Sequence, residues 1–168
     1  MRIVIQRVKQ ASVSILNEET AANDNGNSIK TPKVYTEKAT IGPGFVILVG
    51  VCNEDTQDDV EWLVKKVVNL RVFDDAEGVM NRSILDVGGQ CLVVSQFTLY
   101  ASYKKGNRPS WFRAGSHEHS IPLYEAFCRG LEAEMGKPVG TGEFGADMQI
   151  SLTNDGPVTI CMDTKNKE

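Results

Sequence analysis

The chain has 168 residues, with Lys+Arg 18 against Asp+Glu 22 and a formal net charge of −4. Hydrophobic residues make up 41% and charged residues 24%, which excludes a disordered chain and a collagen-like repeat. The length suits one domain, 1–168, and the acidic balance argues against a nonspecific nucleic-acid binder.

Residues 2–8 and 11–16 alternate apolar and polar, the period of a strand. The opening MRIVIQRVKQ carries charges where a signal peptide needs an unbroken apolar stretch. The longest apolar run, Phe45 to Val51, is far short of the roughly 20 residues of a membrane helix. A cytoplasmic protein is expected. The polar stretch 18–33, with Asn-Gly at its middle, predicts a long hairpin-loop insertion within the domain. After the turn signal Ile41-Gly42-Pro43-Gly44, the run FVILVGV (45–51) predicts a strand buried on both faces. Thr56-Gln-Asp-Asp resembles a capping box, and Val60, Leu63, Val64 and Val67 follow at helical spacing. CLVVSQFTL (91–99) predicts another strand; on it Ser95, Phe97 and Leu99 share one face, Gln96 and Thr98 the other. A second helix is expected from Ser120, with Pro122 in its first turn, an apolar stripe of Leu123, Phe127, Leu131 and Met135, and Gly136 at its end. Strands at 148–153 and 158–162 flank Asn154–Pro157 and predict a hairpin, and 164–168 reads as a loose tail. The whole is an α+β pattern: a mixed, mostly antiparallel sheet with two main helices and no regular βαβ alternation.

Cys52, Cys91, Cys128 and Cys161 are scattered without a CxxC pair, and Cys52, Cys91 and Cys161 adjoin apolar runs; they read as buried apolar residues rather than a zinc site or disulfide frame. Gly140-Thr-Gly-Glu-Phe-Gly145 has the letters of a dinucleotide fingerprint but lacks the strand before and the helix after it, so it reads as a connector. His117 and His119 are the only histidines, with no evident third metal ligand, and read as surface residues. No cofactor and no metal are expected. Ser95 lacks the elbow of a serine hydrolase.

Tyr103–Arg113 gathers Lys104, Lys105, Arg108 and Arg113 around Tyr103, Trp111 and Phe112. Cations bind phosphates and aromatic rings stack on unpaired bases, so a local RNA contact is one reading. The other is a solvated loop with its aromatics tucked into the core. Gln96 and Thr98 in an apolar strand need partners, either each other, backbone or a substrate. Asn154-Asp-Gly-Pro-Val-Thr159 reads first as a tight turn.

With Ser95-Gln96-Phe97-Thr98-Leu99 and Asn154-Asp155-Gly156-Pro157-Val158-Thr159 in place, the chain resembles the D-aminoacyl-tRNA deacylases, a family once called D-tyrosyl-tRNA deacylases. The resemblance runs from Met1-Arg-Ile-Val-Ile-Gln-Arg-Val8 to Cys161-Met-Asp163 and takes in IGPG (41–44), RPS (108–110) and TGEFGADMQ (141–149). The 18–33 loop and Trp111, where the family commonly has Phe, depart from it.

The resemblance implies a homodimeric hydrolase with a barrel-like sheet. It would act on the ester joining a D-amino acid to the 3′-terminal adenosine of tRNA, with glycyl-tRNA as a second substrate. It implies that Gly156-Pro157 is a cis peptide that enters the other subunit's site and rejects L-amino acids by backbone alone. Arg7 would brace that loop, and Phe144 and Met148 would pack on the terminal adenine. Gln96, Phe97 and Thr98, with Ser95 beside them, would position and stabilise the reaction. Thr98 needs a base to act as nucleophile, and no histidine or lysine lies near it in sequence, so the tRNA's own 2′-hydroxyl is the expected helper. Two readings from other classes remain: a noncatalytic tRNA-binding protein, which would protect the ester, and a general esterase, which would ignore tRNA.

Overall fold

The computed structural model describes residues 1–17 and 33–167. The loop expected over 18–33 therefore lies outside the described residues, apart from Lys33. Its flanks pair, Leu16 with Tyr35, as strands β1 (Arg2–Leu16) and β2 (Tyr35–Ile41).

Strand β3 (Gly44–Gly50) lies antiparallel to the first half of β1, and β6 (Gln90–Ser95) lies parallel to β3. The short β7 (Gly140–Thr141) continues parallel to β6. The order β2-β1-β3-β6-β7, with β8 (Met148–Asp163) on β1, makes a strongly curled mixed sheet, nearly a closed barrel. A two-stranded ribbon, β4 (Phe73–Asp74) with β5 (Met80–Arg82), stands apart. Helices α1 (Gln57–Asn69) and α2 (His117–Met135) pack together on one face of the large sheet.

Why β3 and β6 read as continuous apolar runs is now plain. Phe45, Ile47 and Val49 of β3 and Cys91 and Val93 of β6 join Leu63, Val67, Phe127 and Leu131 in the core beneath the helices. Val46, Leu92 and Val94 point the other way, into a second core with Val8, Ala11, Val13 and Ile41. Both faces of these strands are covered, so neither can afford a polar alternate position.

Four local expectations differ from the structure. The strand expected over 91–99 ends at Ser95; the chain then turns into a single 3-10 turn, Phe97–Tyr100. Alternation cannot tell where a strand stops, and here the Leu99 N–H bonds to the Gln96 carbonyl at 3.2 Å instead of continuing a ladder. Gly50 makes room for this turn, since a Cβ there would lie 3.0 Å from that of Leu99. Second, the two strands expected to flank Asn154–Pro157 do not form a hairpin. They are one strand, β8, running along the whole of β1; Gln6 faces Thr159 and Val8 faces Asn154, so the residues between are thrown out as a wide bulge. Third, α2 begins at His117, one turn ahead of Ser120, because the Ser116 side chain accepts the His119 N–H, a cap that leaves Pro122 inside the helix. Fourth, the tail from 164 starts anchored: Thr164 is buried and its hydroxyl accepts the Met1 ammonium at 2.5 Å.

Cys52, Cys91 and Cys128 are buried, as expected for apolar fillers, whereas Cys161 is exposed on the outer face of β8. Burial pushes the Cys91 thiol up to about 12 and the Cys128 thiol up to about 11, so both stay protonated at neutral pH. No helix among the described residues is long and apolar enough to cross a membrane.

Asp59 links α1 to the C-terminal residues. Its carboxylate accepts the Thr56 N–H at 2.8 Å and the Lys165 ammonium at 2.8 Å. Burial opposes its charge, but these bonds and that of Thr164 outweigh it and hold the carboxyl well below the usual range. A folded-state pKa below the unfolded one stabilises at neutral pH, and that stability drains away as pH falls below about 4. Asp59→Asn is expected to cost about 1–2 kcal/mol at pH 7 and nothing at the acid end, flattening the acid limb of a Tm-versus-pH curve. A parallel drop at all pH values would contradict this.

Candidate active site: the cleft between the 95–97 turn and helix α2

A cleft of about 530 Å³ opens where β6 ends, within the range of small-molecule pockets. Val49, Val51 and Val94 make its apolar base, Ser95, Gln96 and Phe97 one wall, and Ser120 and Tyr124 of α2 another. Phe144, Met148 and Ile150 close the far side. Of the residues expected in the site, Ser95, Gln96, Phe97, Phe144 and Met148 are thus brought together.

The strand-to-turn switch puts the polar groups at the cleft. The Gln96 N–H is tied to the Val49 carbonyl at 2.7 Å, so the backbone there cannot swing. The Gln96 side-chain amide donates to the Thr98 hydroxyl oxygen. Thr98 itself does not line the cleft; it sits behind Gln96 and orients it. The two residues satisfy each other, across a turn rather than along one strand face. The 3-10 turn opens at Phe97, and the first N–H groups of a helical turn have no carbonyl partner within it. That makes a donor near the cleft available to a developing oxyanion.

Aromatic packing shapes the far wall. Phe144 has its ring 5.5 Å from that of His117 and 6.0 Å from that of Tyr124, both edge-on. The Tyr124 hydroxyl donates to the Val93 carbonyl at 2.9 Å, and burial drives its phenol pKa far up, so it is a neutral structural strut. Met148 accepts the Glu143 N–H on its sulfur at 3.4 Å, which fixes the side chain over the turn 143–146.

His117 was missed as a cleft residue. It read as part of a polar loop, but the Ser116 cap folds the loop into the first turn of α2 and carries the imidazole to the cleft wall. A Ser three residues ahead of His119, before an apolar stripe, was the usable signal. His119 points elsewhere, its Nε2 lying 3.1 Å from the Asp55 carbonyl oxygen. Among the described residues no group of three or more His, Cys, Asp or Glu could hold a metal.

Gly156, Pro157 and Arg7 are not in this cleft of the same chain. They lie together at the β8 bulge, where Gly156 and Pro157 are exposed and their peptide bond is cis. Arg7 is 6% exposed. Its guanidinium donates to the Asp155 carbonyl at 3.1 Å and to the Val72 carbonyl at 2.5 Å, with Asp74 and Asp155 carboxylates at 3.3 and 3.4 Å. A planar fork with several donors suits this task, because one side chain ties the bulge to the loop that leads into β4. Arg7→Met would leave two carbonyls without donors and is expected to lower unfolding stability by about 3 kcal/mol, read from the urea midpoint at unchanged slope. A loss under about 0.5 kcal/mol would mean that the fork holds nothing.

The aromatics of 103–113 are not tucked into the core. Tyr103 and Phe112 are 77% and 76% exposed, and Trp111 is 41% exposed on the rim of the cleft, its ring 5.3 Å from that of Phe97.

Residues 4–163 match the family described as D-Tyr-tRNA(Tyr) deacylase. The chain is 56% identical to the D-aminoacyl-tRNA deacylase of Bacteroides thetaiotaomicron over 168 residues, covering all of both chains. Among solved structures, it superposes on the c-Myc DNA unwinding element binding protein with a TM-score of 0.78 at 36% identity, covering 98% of this chain and 99% of that one. A probable eukaryotic D-amino acid tRNA deacylase shares the fold at a TM-score of 0.72 and 16% identity, over 96% and 97% of the two chains.

Proposed function

We infer that this chain, which belongs to the D-Tyr-tRNA(Tyr) deacylase family, hydrolyses the ester between a D-amino acid and the 3′-terminal ribose of tRNA. It is an ester hydrolase, and an aminoacyl-tRNA is its substrate. The observation that carries the reading is the position of Ser95-Gln96-Phe97: the family segment forms one wall of a cleft whose base is Val49, Val51 and Val94 and whose far side holds Phe144 and Met148.

In that cleft the terminal adenine packs against Phe144 and Met148. The scissile carbonyl faces the turn at Phe97, whose N–H stabilises the oxyanion of the tetrahedral intermediate. Gln96, held by Thr98, orients the attacking water or the ribose. Aminoacyl esters are activated already, so orientation and charge stabilisation suffice. Within the described residues the Thr98 hydroxyl is bonded to Gln96 and to no histidine, lysine or carboxylate, which supports a helper from outside the protein: the 2′-hydroxyl next to the ester.

Chirality is a matter of backbone. Gly156-Pro157, which protrudes from β8 and is absent from the cleft of its own chain, enters the cleft of a second copy in a homodimer. There its carbonyls take the substrate's α-ammonium, an orientation that leaves no space for an L side chain. Glycine has no side chain to exclude, so glycyl-tRNA is a second substrate. The protein works in the cytoplasm, without cofactor or metal.

The test is deacylation of D-Tyr-tRNA and L-Tyr-tRNA side by side with a chelator present. The D ester is expected to disappear at least 100-fold faster than the L ester. Loss of both at similar rates would remove the chiral filter, and loss of neither would favour a protein that binds and protects the ester.

A further inference from the structure

From Val87 to His117 the chain contains no Asp or Glu, yet it holds Lys104, Lys105, Arg108 and Arg113. In a protein of net charge −4 this is a large local excess of positive charge. All four side chains are exposed, and among the described residues none has a hydrogen-bonding or ionic partner. The segment is nonetheless well placed. Ser102 and Ser110 exchange two backbone hydrogen bonds, at 2.8 and 2.9 Å, and close the loop that carries the first three cations. Trp111 follows at once. Its carbonyl accepts the Ala114 N–H at 2.9 Å, and the next residue, Gly115, donates to the Val51 carbonyl at 2.8 Å. The main chain is thus tied on both sides of Trp111, whose indole stands on the rim of the cleft with the exposed Phe97 ring edge-on against it.

Exposed aromatic rings on a tied backbone, beside unpaired cations, fit a single-stranded nucleic acid: bases stack on the rings and phosphates follow the charge. Trp111 and Phe97 both line the cleft, so a strand whose terminal ribose enters it has these rings within reach of its upstream neighbours. We propose that Trp111, with Phe97, is a stacking platform for the unpaired cytidines that precede the terminal adenosine of tRNA, and that Lys104, Lys105 and Arg108 hold the phosphates there. The proposal rests on the deacylase reading and adds a subsite to it: the enzyme grips the CCA end as a strand and not only its last residue.

The experiment uses the Trp62→Phe protein, in which Trp111 is the sole indole. Its fluorescence is titrated with the trinucleotide CCA and with adenosine 5′-monophosphate. CCA is expected to quench Trp111 at concentrations at least tenfold lower than the mononucleotide, less so at high salt. In parallel, Trp111→Ala is expected to raise KM for D-Tyr-tRNA about tenfold with kcat within twofold, and Trp111→Phe to restore most of it. Lys104→Ala with Lys105→Ala is expected to flatten the dependence of log kcat/KM on log salt by about 1.4, at roughly 0.7 per phosphate contact to a single strand.

Equal quenching by the two ligands, or a Trp111→Ala defect confined to kcat, would overturn the proposal. Should Trp111→Ala not fold, the titration and Trp111→Phe still decide. Quenching by CCA in a protein that leaves D-Tyr-tRNA intact would sink the deacylase reading while upholding the platform. The opposite pair, fast deacylation with no preference for CCA, would sink only the platform.

Discussion

Gly156→Ala is expected to lower kcat/KM for D-Tyr-tRNA by two orders of magnitude or more while leaving the protein folded. Gly156 has a φ of +119°, a conformation that side chains rarely adopt. A Cβ there would lie 3.0 Å from Val158 Cγ2, 3.1 Å from Arg7 Nη2 and 3.2 Å from the Val158 nitrogen. Neither neighbour can yield freely: Arg7 is pinned by the Asp155 and Val72 carbonyls, and Val158 is half-buried in β8. The bulge must therefore move, carrying with it the carbonyls proposed to hold the substrate's ammonium group. The strain is of the order of 1–3 kcal/mol, a modest loss for a whole domain. Activity should fall far more than stability. Urea unfolding and a D-Tyr-tRNA assay on the same preparation check this. Activity within threefold of the parent would remove the bulge from the mechanism.

A D-Tyr-tRNA ending in 2′-deoxyadenosine is expected to be deacylated at least 100-fold more slowly than its ribose counterpart, whereas Thr98→Ala is expected to stay within about tenfold of the parent. The two results belong together. General acid–base assistance contributes about 10²–10⁴ in rate, and a group that orients another contributes less. Thr98 lies behind Gln96 and outside the cleft lining, which suits orientation. A 10⁴-fold loss in folded Thr98→Ala, with undiminished cleavage of the deoxy substrate, would reverse the assignment and make Thr98 the nucleophile.

How much of this was legible beforehand depends on the kind of residue. The FVILVGV run announced a strand covered on both sides, and the stripe of Val60, Leu63, Val64 and Val67 announced α1, because periodicity and burial are properties of neighbouring residues. The pairing of β1 with β8 was not legible, since nothing local in 2–16 indicates a partner near 150, and so Asn154–Pro157 read as the turn of a hairpin rather than a bulge. The site divided the same way. Ser95, Gln96, Phe97, Phe144 and Met148 came from family segments and meet in one cleft. His117 was overlooked because its place depends on a cap one residue earlier, and the reach of Trp111 to the rim depends on a bridge between Ser102 and Ser110.

The pairing of β1 with β8 also bears on how the protein is made. Arg2–Leu16 emerges early in synthesis, and β2 and β3 soon cover one of its edges. The other edge waits for residues 148–163. At roughly 5–20 residues per second, a ribosome needs about 7–25 s to travel from Leu16 to Met148. Throughout that interval a long, apolar strand edge stands open to any other chain that offers a match. Residues 2–15 gain their second neighbour only once β8 has been made, so nearly the whole first strand of the chain waits on the last strand of the sheet.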